Sequence, residues 1–420
     1  MRVAHVLRKY DSSEWGGTET AVLQLTTALA AQSVGSVAFA PRLAKAEPMP
    51  DPFADAGMQV KRFNATVPIL GISDEKRRQL VAVGGNVISF DLARALLRER
   101  NVDVIHTHAL GRLGAIGRAV ARARGLPFVI TVHGGAYDLP SATRAELLRG
   151  SRDGWDWGKP LGMVLGTRSL LGGADAVVTM NPREAAIIRT RHPGRRVITE
   201  SHGVPMAAFA RDCRPAALAA YPRLRNRQVL LVLGRIDPTK NQMWVVLELA
   251  EIVRRHPGAI VVFAGSCTNA EYGRSIEQRI ARSGLGDRVL RTGGLPSGDP
   301  RLMGLLQLAR ALVLPSTSET FGIVILEAWA AGTPVVSSRT SGAMTLIEDG
   351  KNGLLFELGR PSTFHSAIAS VIGRPSFALS LSEQGRTRVA AQFDTEVCAR
   401  RMRRLYEELV EEKHALRHSA

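Results

Sequence analysis

Cysteine is scarce. Cys213, Cys267 and Cys398 are the only three in 420 residues, odd in number and far apart, so neither a disulfide framework nor a cysteine metal site is expected. A reducing compartment fits that usage, and the chain reads as cytoplasmic. No stretch approaches the ~20 apolar residues of a membrane span. The apolar run at the N-terminus is too short for a secretory signal. Aromatics are few, with five Trp and five Tyr, and no nucleic-acid motif accompanies the basic residues, so nucleic acid is not expected as a partner. Gly-x-Gly-x-x-Gly and the Walker A loop are both absent. No Asp-x-Asp occurs, and no metal is expected.

Acidic residues are outnumbered, 38 against 55 Lys and Arg, for a formal charge of +17. That surplus favours anionic partners: nucleotides, phosphorylated substrates or an acidic membrane face. Two basic stretches, Arg112–Arg124 and Lys76-Arg77-Arg78, are candidates for peripheral contact with anionic lipid on the inner membrane face. Solvated surface is the commoner role for such stretches.

What is present is a rhythm. Short apolar runs such as Arg2–Leu7, Asp103–Thr107, Phe128–Val132, Val229–Leu233 and Ala259–Ala264 alternate with helical patterns. That alternation predicts an α/β fold of two Rossmann-like, doubly wound parallel sheets. We expect a first domain over residues 1–205, a connection over 206–227, a second domain over 228–393, and a final helix within 394–420. Single helices are expected over Gly162–Leu171 and Gln242–Arg255. The final helix carries the stripe Val397, Met402, Leu405, Tyr406 and Leu409.

In such sheets ligands bind beyond the C-terminal ends of the strands, which directs attention to a few loops. Ser318–Glu327 follows the strand Ala311–Leu314 and opens a helix. Glu319 then sits in the turn, Gly322 at the helix start and Glu327 inside. Eight helical residues span on the order of 12 Å, wider than the roughly 5–9.5 Å of a glycosidase pair. The spacing suits two ends of one long ligand, with an anion at the amides around Gly322. A nucleotide sugar has that shape. Gly234, Arg235 and Lys240 flank another strand-to-helix turn, and two cations there suit a diphosphate leaving group. Gly16 and Gly17 precede the first helix, where they either admit a ligand or make a tight turn. His133 ends a strand ahead of Gly134-Gly135 and is a candidate donor or base. His106 and His108 share a strand face by alternation alone, and no carboxylate or cysteine completes a metal set. Asp138–Lys159, with Trp155 and Trp157, either lines an acceptor site or packs.

Together these motifs resemble the retaining GT-B glycosyltransferases of family four, the group 1 glycosyltransferases. The resemblance covers nearly the whole chain. It rests on Gly-Arg-x4-Lys at Gly234–Lys240, Glu-x7-Glu at Glu319–Glu327, Gly16-Gly17, Val-His-Gly at Val132–Gly134, and the Leu-Glu-Ala-x-Ala-Ala-Gly-Thr-Pro-Val-Val run from Leu326. It implies two domains facing across a cleft, with the last helix returning to the first domain. By this resemblance Arg235 and Lys240 hold the donor diphosphate and Glu327 binds the ribose. Glu319 contacts the transferred sugar with the amides of Phe321, Gly322 and Ile323. Gly16 and Gly17 approach the β-phosphate, and His133 lies beside the reacting carbon. The implied activity is a hexosyltransferase (EC 2.4) of polysaccharide or glycoconjugate biosynthesis. It needs no cofactor beyond the nucleoside-diphosphate sugar, and its acceptor is a glycan, a lipid-linked sugar or a small molecule. The chain departs from the family in Thr320, in the bulky Trp329, and in a weak glycine pattern at Phe263-Ala-Gly265. A non-catalytic nucleotide-sugar-binding scaffold and another GT-B enzyme, such as an epimerase, are the rival readings.

Overall fold

The computed structural model describes residues 1–10, 16–42, 51–74, 77, 80, 87–134, 155–296 and 298–418. Gly135, residues 138–154, Lys76 and Arg78 of the stretches singled out above lie outside these. The chain divides into two compact units: Met1–Gly203 with Thr395–Ala420, and Val204–Asp394.

The first unit holds a seven-stranded sheet of β1 (Arg2–Val6), β2 (Gly35–Pro41), β3 (Gln59–Phe63), β5 (Val104–Thr107), β6 (Phe128–Val132), β8 (Ala176–Thr179) and β9 (Arg196–Thr199), in the order β3-β2-β1-β5-β6-β8-β9. Every pairing is parallel. Strands covered on both faces read as continuous apolar runs, which is why Phe128–Val132 is buried throughout. A short ribbon of β4 (Ile69–Leu70) and β7 (Trp155–Asp156) lies apart from this sheet. The last helix, Thr395–His418, packs on this unit. Ala399, Met402, Leu405, Tyr406 and Leu409 meet Val3, Leu29, Val104 and Val178 in one core cluster. Val397 is only half-buried, and Cys398 and Ala399 take its place in the stripe. Arg401 adds a bidentate bond to Glu200, at 2.6 and 2.7 Å.

The second unit holds β10 (Gln228–Leu233), β11 (Ala259–Ala264), β12 (Val289–Gly293), β13 (Ala309–Leu314), β14 (Val335–Ser338) and β15 (Leu354–Phe356), ordered β12-β11-β10-β13-β14-β15 and parallel throughout. The chain reverses direction across the sheet between β10 and β13. That is the switch point where doubly wound folds open a crevice.

Four expectations are corrected. Residues 206–227 are not a free connection. Helix Arg214–Ala220 packs on helix Pro300–Leu308, so closely that a Cβ on Gly304 would lie 2.2 Å from the Cys213 carbonyl oxygen. The helix expected over Gly162–Leu171 is Lys159–Val164 followed by 3₁₀ turns, because Gly166 takes a left-handed φ of +62°. Gln242–Arg255 is two helices that part at Glu248, whose carboxylate bonds the buried His365 ring at 2.8 Å. Finally, most arginines of helix Gly111–Arg124 are not a free basic face. Arg112 is buried in a bidentate pair with Asp156, at 2.8 and 2.6 Å. Arg118 bonds the carbonyls of Leu165, Gly166 and Ser169, and Arg124 those of Leu96 and Arg100. Arg77 likewise bonds the carbonyls of Val67 and Ile69. Planar guanidinium donors serve here as staples for loop backbone.

Candidate active site

Two loops leave the C-terminal edge of the second sheet at its switch point, one after β10 and one after β13. The first runs Gly234–Asn241. Asp237 organises it: its Oδ1 accepts the amides of Thr239 at 2.9 Å and Lys240 at 3.0 Å, an Asx-type turn. The buried Gln242 donates its Nε2 to the Arg235 carbonyl at 2.7 Å. The second loop, Pro315–Gly322, is laced to the first. Asn241 Nδ2 donates to the Pro315 carbonyl at 3.1 Å, and the Thr317 amide to the Thr239 carbonyl at 2.9 Å.

This lacing brings Lys240 and Glu319 together. Their side chains form a direct ion pair and are only 20% and 15% exposed. Glu319 is also fixed from behind, since the amide of Gly342 (2.8 Å) and the hydroxyl of Ser341 (3.1 Å) donate to its carbonyl. Only a glycine fits at 342, where a Cβ would lie 2.7 Å from the Phe321 amide nitrogen. Arg235 differs: its side chain is 63% exposed, with one loose contact to Asp237 at 3.4 Å. Gly322 has φ +89°, left-handed backbone that favours glycine, and precedes helix Ile323–Ala330. The first amides of a helix have no intrahelical acceptor and carry the positive end of its dipole. Glu327 lies in the second turn of that helix, half-buried. Burial pushes its carboxyl up to about 7. Among the described residues no donor is directed at that carboxylate. The bulky Trp329 is accommodated because Gly385, on helix Pro375–Arg388, leaves room: a Cβ there would come 2.3 Å from the indole.

Gly16, Gly17 and His133 are in the other unit. Gly16 precedes helix Gly17–Ala31 with extended backbone, and its amide bonds the Glu19 carboxylate at 3.1 Å. His133 follows β6 and belongs to a group that sequence reading did not foresee. His5, His106, His108, His133 and His202 pack with ring centroids 4.2 to 5.4 Å apart along a linked series of contacts. Burial drives their pKa values down, to about 3 for His5 and about 4 for His202, so the rings are neutral. Donor atoms of His5, His106 and His108 lie within 4.8 Å of one another. Hydrogen bonds already use them, however. His106 binds the Tyr406 hydroxyl (2.7 Å) and the Thr131 hydroxyl (2.6 Å), and His5 binds His108 (3.1 Å). Asp237, Gln242, Ser341 and Gly342 also escaped sequence reading. Of these only Asp237 carries a signal that could have found it, as the Asp of an Asp-Pro-Thr turn.

The family model for glycosyl transferases group 1 matches residues 217–388, and that for the glycosyl transferase 4-like domain matches residues 16–200. A D-inositol 3-phosphate glycosyltransferase of Frankia alni is 29% identical over 412 residues, covering 96% of this chain and 95% of that protein. One from Saccharomonospora viridis is 31% identical over 294 residues, 68% and 65% of the two chains. Among solved structures, Anabaena HepE in complex with UDP superposes with a TM-score of 0.72 at 18% identity, covering 97% of this chain and 100% of that one. Sucrose-phosphate synthase from Thermosynechococcus elongatus gives 0.71 at 23%, covering 98% and 99%. At such identities the likeness to solved structures is one of fold.

Proposed function

The chain belongs to the group 1 glycosyltransferases and has the GT-B fold, and from that premise we propose that it moves a sugar from a nucleoside-diphosphate sugar to a hydroxyl acceptor, with retention at the anomeric carbon and without a metal. The observation that carries the reading is the Lys240–Glu319 pair, held by two laced loops at the switch point of the second sheet, ahead of the Gly322 turn. Lys240 and Arg235 supply the cations for the diphosphate, and Gly234 lets backbone approach it. The amides of Phe321, Gly322 and Ile323 turn toward the donor, Glu319 toward the transferred sugar and Glu327 toward the ribose. From the first unit Gly16 and Gly17 serve the β-phosphate and His133 the reacting centre.

The step is a front-face substitution. The bond from the anomeric carbon to the diphosphate oxygen breaks, and the acceptor oxygen bonds the same face. The acceptor proton passes to the departing phosphate. Charge grows on the diphosphate as the bond breaks, so fixed cations lower the barrier. The relatives act, by name, on D-inositol 3-phosphate. A phosphorylated polyol is therefore the acceptor class we favour, and it fits the chain's positive charge.

A panel of UDP-, GDP- and ADP-sugars, each with and without inositol phosphates and with EDTA, tests the reading through release of nucleoside diphosphate. We expect turnover with one donor, acceptor dependence, no loss in EDTA, and a product whose anomeric configuration matches the donor. Tight donor binding without release across acceptors would establish the scaffold reading instead.

Glu327 gives a second expectation. Ribose hydroxyls donate best to a carboxylate, and this carboxyl titrates near 7 when free of ligand. Donor binding should therefore favour the ionised form and release a proton. Affinity for an intact nucleotide sugar should rise about tenfold between about pH 6 and about pH 8, since the ionised fraction rises by that factor. Calorimetry in buffers of different ionisation enthalpy would detect the proton, and Glu327→Gln should flatten the profile. A flat wild-type profile would remove Glu327 from the ribose.

A further inference from the structure

The grouped histidines form an ordered chain. β1 and β5 set His5 beside His106 in register, and His108 extends two residues further along the same side. From there the contacts run in one line. Nε2 of His133 meets Nδ1 of His108 at 2.9 Å, and Nε2 of His108 meets Nδ1 of His5 at 3.1 Å. Nε2 of His5 faces the Ser36 hydroxyl at 3.5 Å. At the other end of the row, Nδ1 of His133 is buried and has no hydrogen-bond partner among the described residues. His133 also lines a small cavity with Ser201, His202, Gly203 and Thr395. His106 stands outside the line, tied to Tyr406 and Thr131.

A neutral imidazole has one N–H and one lone pair. Each nitrogen-to-nitrogen contact then needs a donor on one side and an acceptor on the other. Two contacts in series leave two arrangements. Either all three rings carry the proton on Nδ1, with the Ser36 hydroxyl donating to His5, or all three carry it on Nε2, with His5 donating to Ser36. A mixed state would oppose two N–H groups or two lone pairs at about 3 Å in a buried site, where an unmade hydrogen bond is costly.

We propose that His5, His108 and His133 are one tautomeric unit, and that His108 and His5 are positioning residues which decide whether His133 offers its open Nδ1 to the substrate as a donor or as an acceptor. This rests on the reading of His133 as a substrate contact. It gives a role to the buried Nδ1 of His133 that the row leaves unpartnered among the described residues: it is the end through which the row would meet the substrate. A ring whose proton position is fixed before binding need not reorganise during the reaction.

The first test reads the wild-type protein. In protein labelled with ¹⁵N-histidine, long-range ¹H–¹⁵N correlation reads the tautomer of each ring, with His133→Ala used for assignment. We expect His5, His108 and His133 to share one tautomer. Different tautomers within the three would overturn the proposal. The second test uses His5→Asn and His108→Phe. Both should disturb the ¹⁵N shifts of His133, although His5 lies one ring away from it, and leave His106 in its tautomer. An undisturbed His133 in a folded variant would also overturn it. The third test is kinetic. His108→Phe should lower kcat about tenfold, the worth of roughly one hydrogen bond, with donor KM nearly unchanged. Joined with His133→Ala it should add nothing. Full turnover in His133→Ala would sink the substrate reading of His133, while shared tautomers would still stand. One equivalent of bound zinc, lost in His5→Asn, would overturn the tautomeric unit in favour of a metal site.

Discussion

Lys240→Ala should lower kcat/KM by about 10²–10³-fold, the range seen when a preorganised group that meets developing transition-state charge is removed. Lys240 is four-fifths buried and held by Glu319, and its amide is fixed by Asp237. A cation in such a place acts through less water than one on the surface. At an effective dielectric of ~20 a unit charge about 4 Å away contributes ~4 kcal/mol, against ~1 kcal/mol in bulk water. That margin exceeds the ~1 kcal/mol of an ordinary neutral hydrogen bond, so the ammonium charge dominates the expected loss. Arg235 is 63% exposed, and water screens it more. Arg235→Ala should cost less, about tenfold. Because Lys240→Ala also strips Glu319 of its partner, Glu319→Gln with Lys240 intact is the needed companion, together with thermal unfolding of each protein. If Arg235→Ala proves the more damaging of the two in folded proteins, Lys240 is chiefly a structural partner of Glu319 and Arg235 the principal cation.

The ordering was not readable in advance, and the reason is physical. Sequence pattern located both cations at one strand-to-helix turn, because Gly234 and the apolar run Val229–Leu233 mark that turn by themselves. It also located the Glu319 turn, since Ala311–Leu314, Gly322 and the run from Ile323 alternate in period. That the sheets are parallel followed from the βαβ rhythm, but the order of the strands within them did not. What pattern does not carry is the distance between side chains from different loops. The Lys240–Glu319 pair depends on Thr239, Asn241, Pro315 and Thr317 bonding across two loops, and each of those residues is unremarkable in its own stretch. The histidine row was hidden for the same reason. His5, His108 and His133 are separated by 103 and 25 residues, and only sheet order brings them side by side. The arginines misled in the opposite direction. Charge on a helical stretch reads as surface, whereas Arg112 and Arg118 spend their donors on loop backbone and a buried carboxylate.

Gly265→Ala should be the most destabilising single-methyl change in the second unit, by ~3 kcal/mol or more, and should abolish donor binding with it. Gly265 follows β11 at φ +156°, a region that side chains rarely adopt. Strain of that kind costs on the order of 1–3 kcal/mol alone. Space adds to it. A Cβ would lie 2.0 Å from the Gly234 carbonyl oxygen and 3.1 Å from the Arg235 amide nitrogen. Both are backbone, so no rotamer can relieve the clash. The backbone there is pinned as well: Gly234 donates to the Ala264 carbonyl (2.9 Å), Gly265 to the Gly293 carbonyl (2.9 Å) and Ile236 to the Ser266 carbonyl (2.8 Å). Relief must shift the loop that carries Arg235 and Lys240, which links the stability loss to the site. Gly284 is the control. It also has a left-handed φ, +68°, but nothing lies within 4 Å of a Cβ built there, so Gly284→Ala should cost only about 1–2 kcal/mol and leave binding intact. The two units need not unfold together, so the readout should belong to the second, such as hydrogen exchange in β10 and β11 alongside donor titration. A Gly265→Ala protein that matches Gly284→Ala in both measurements would mean that the β10 loop moves freely. Its role in holding Lys240 in place before the donor arrives would then be lost.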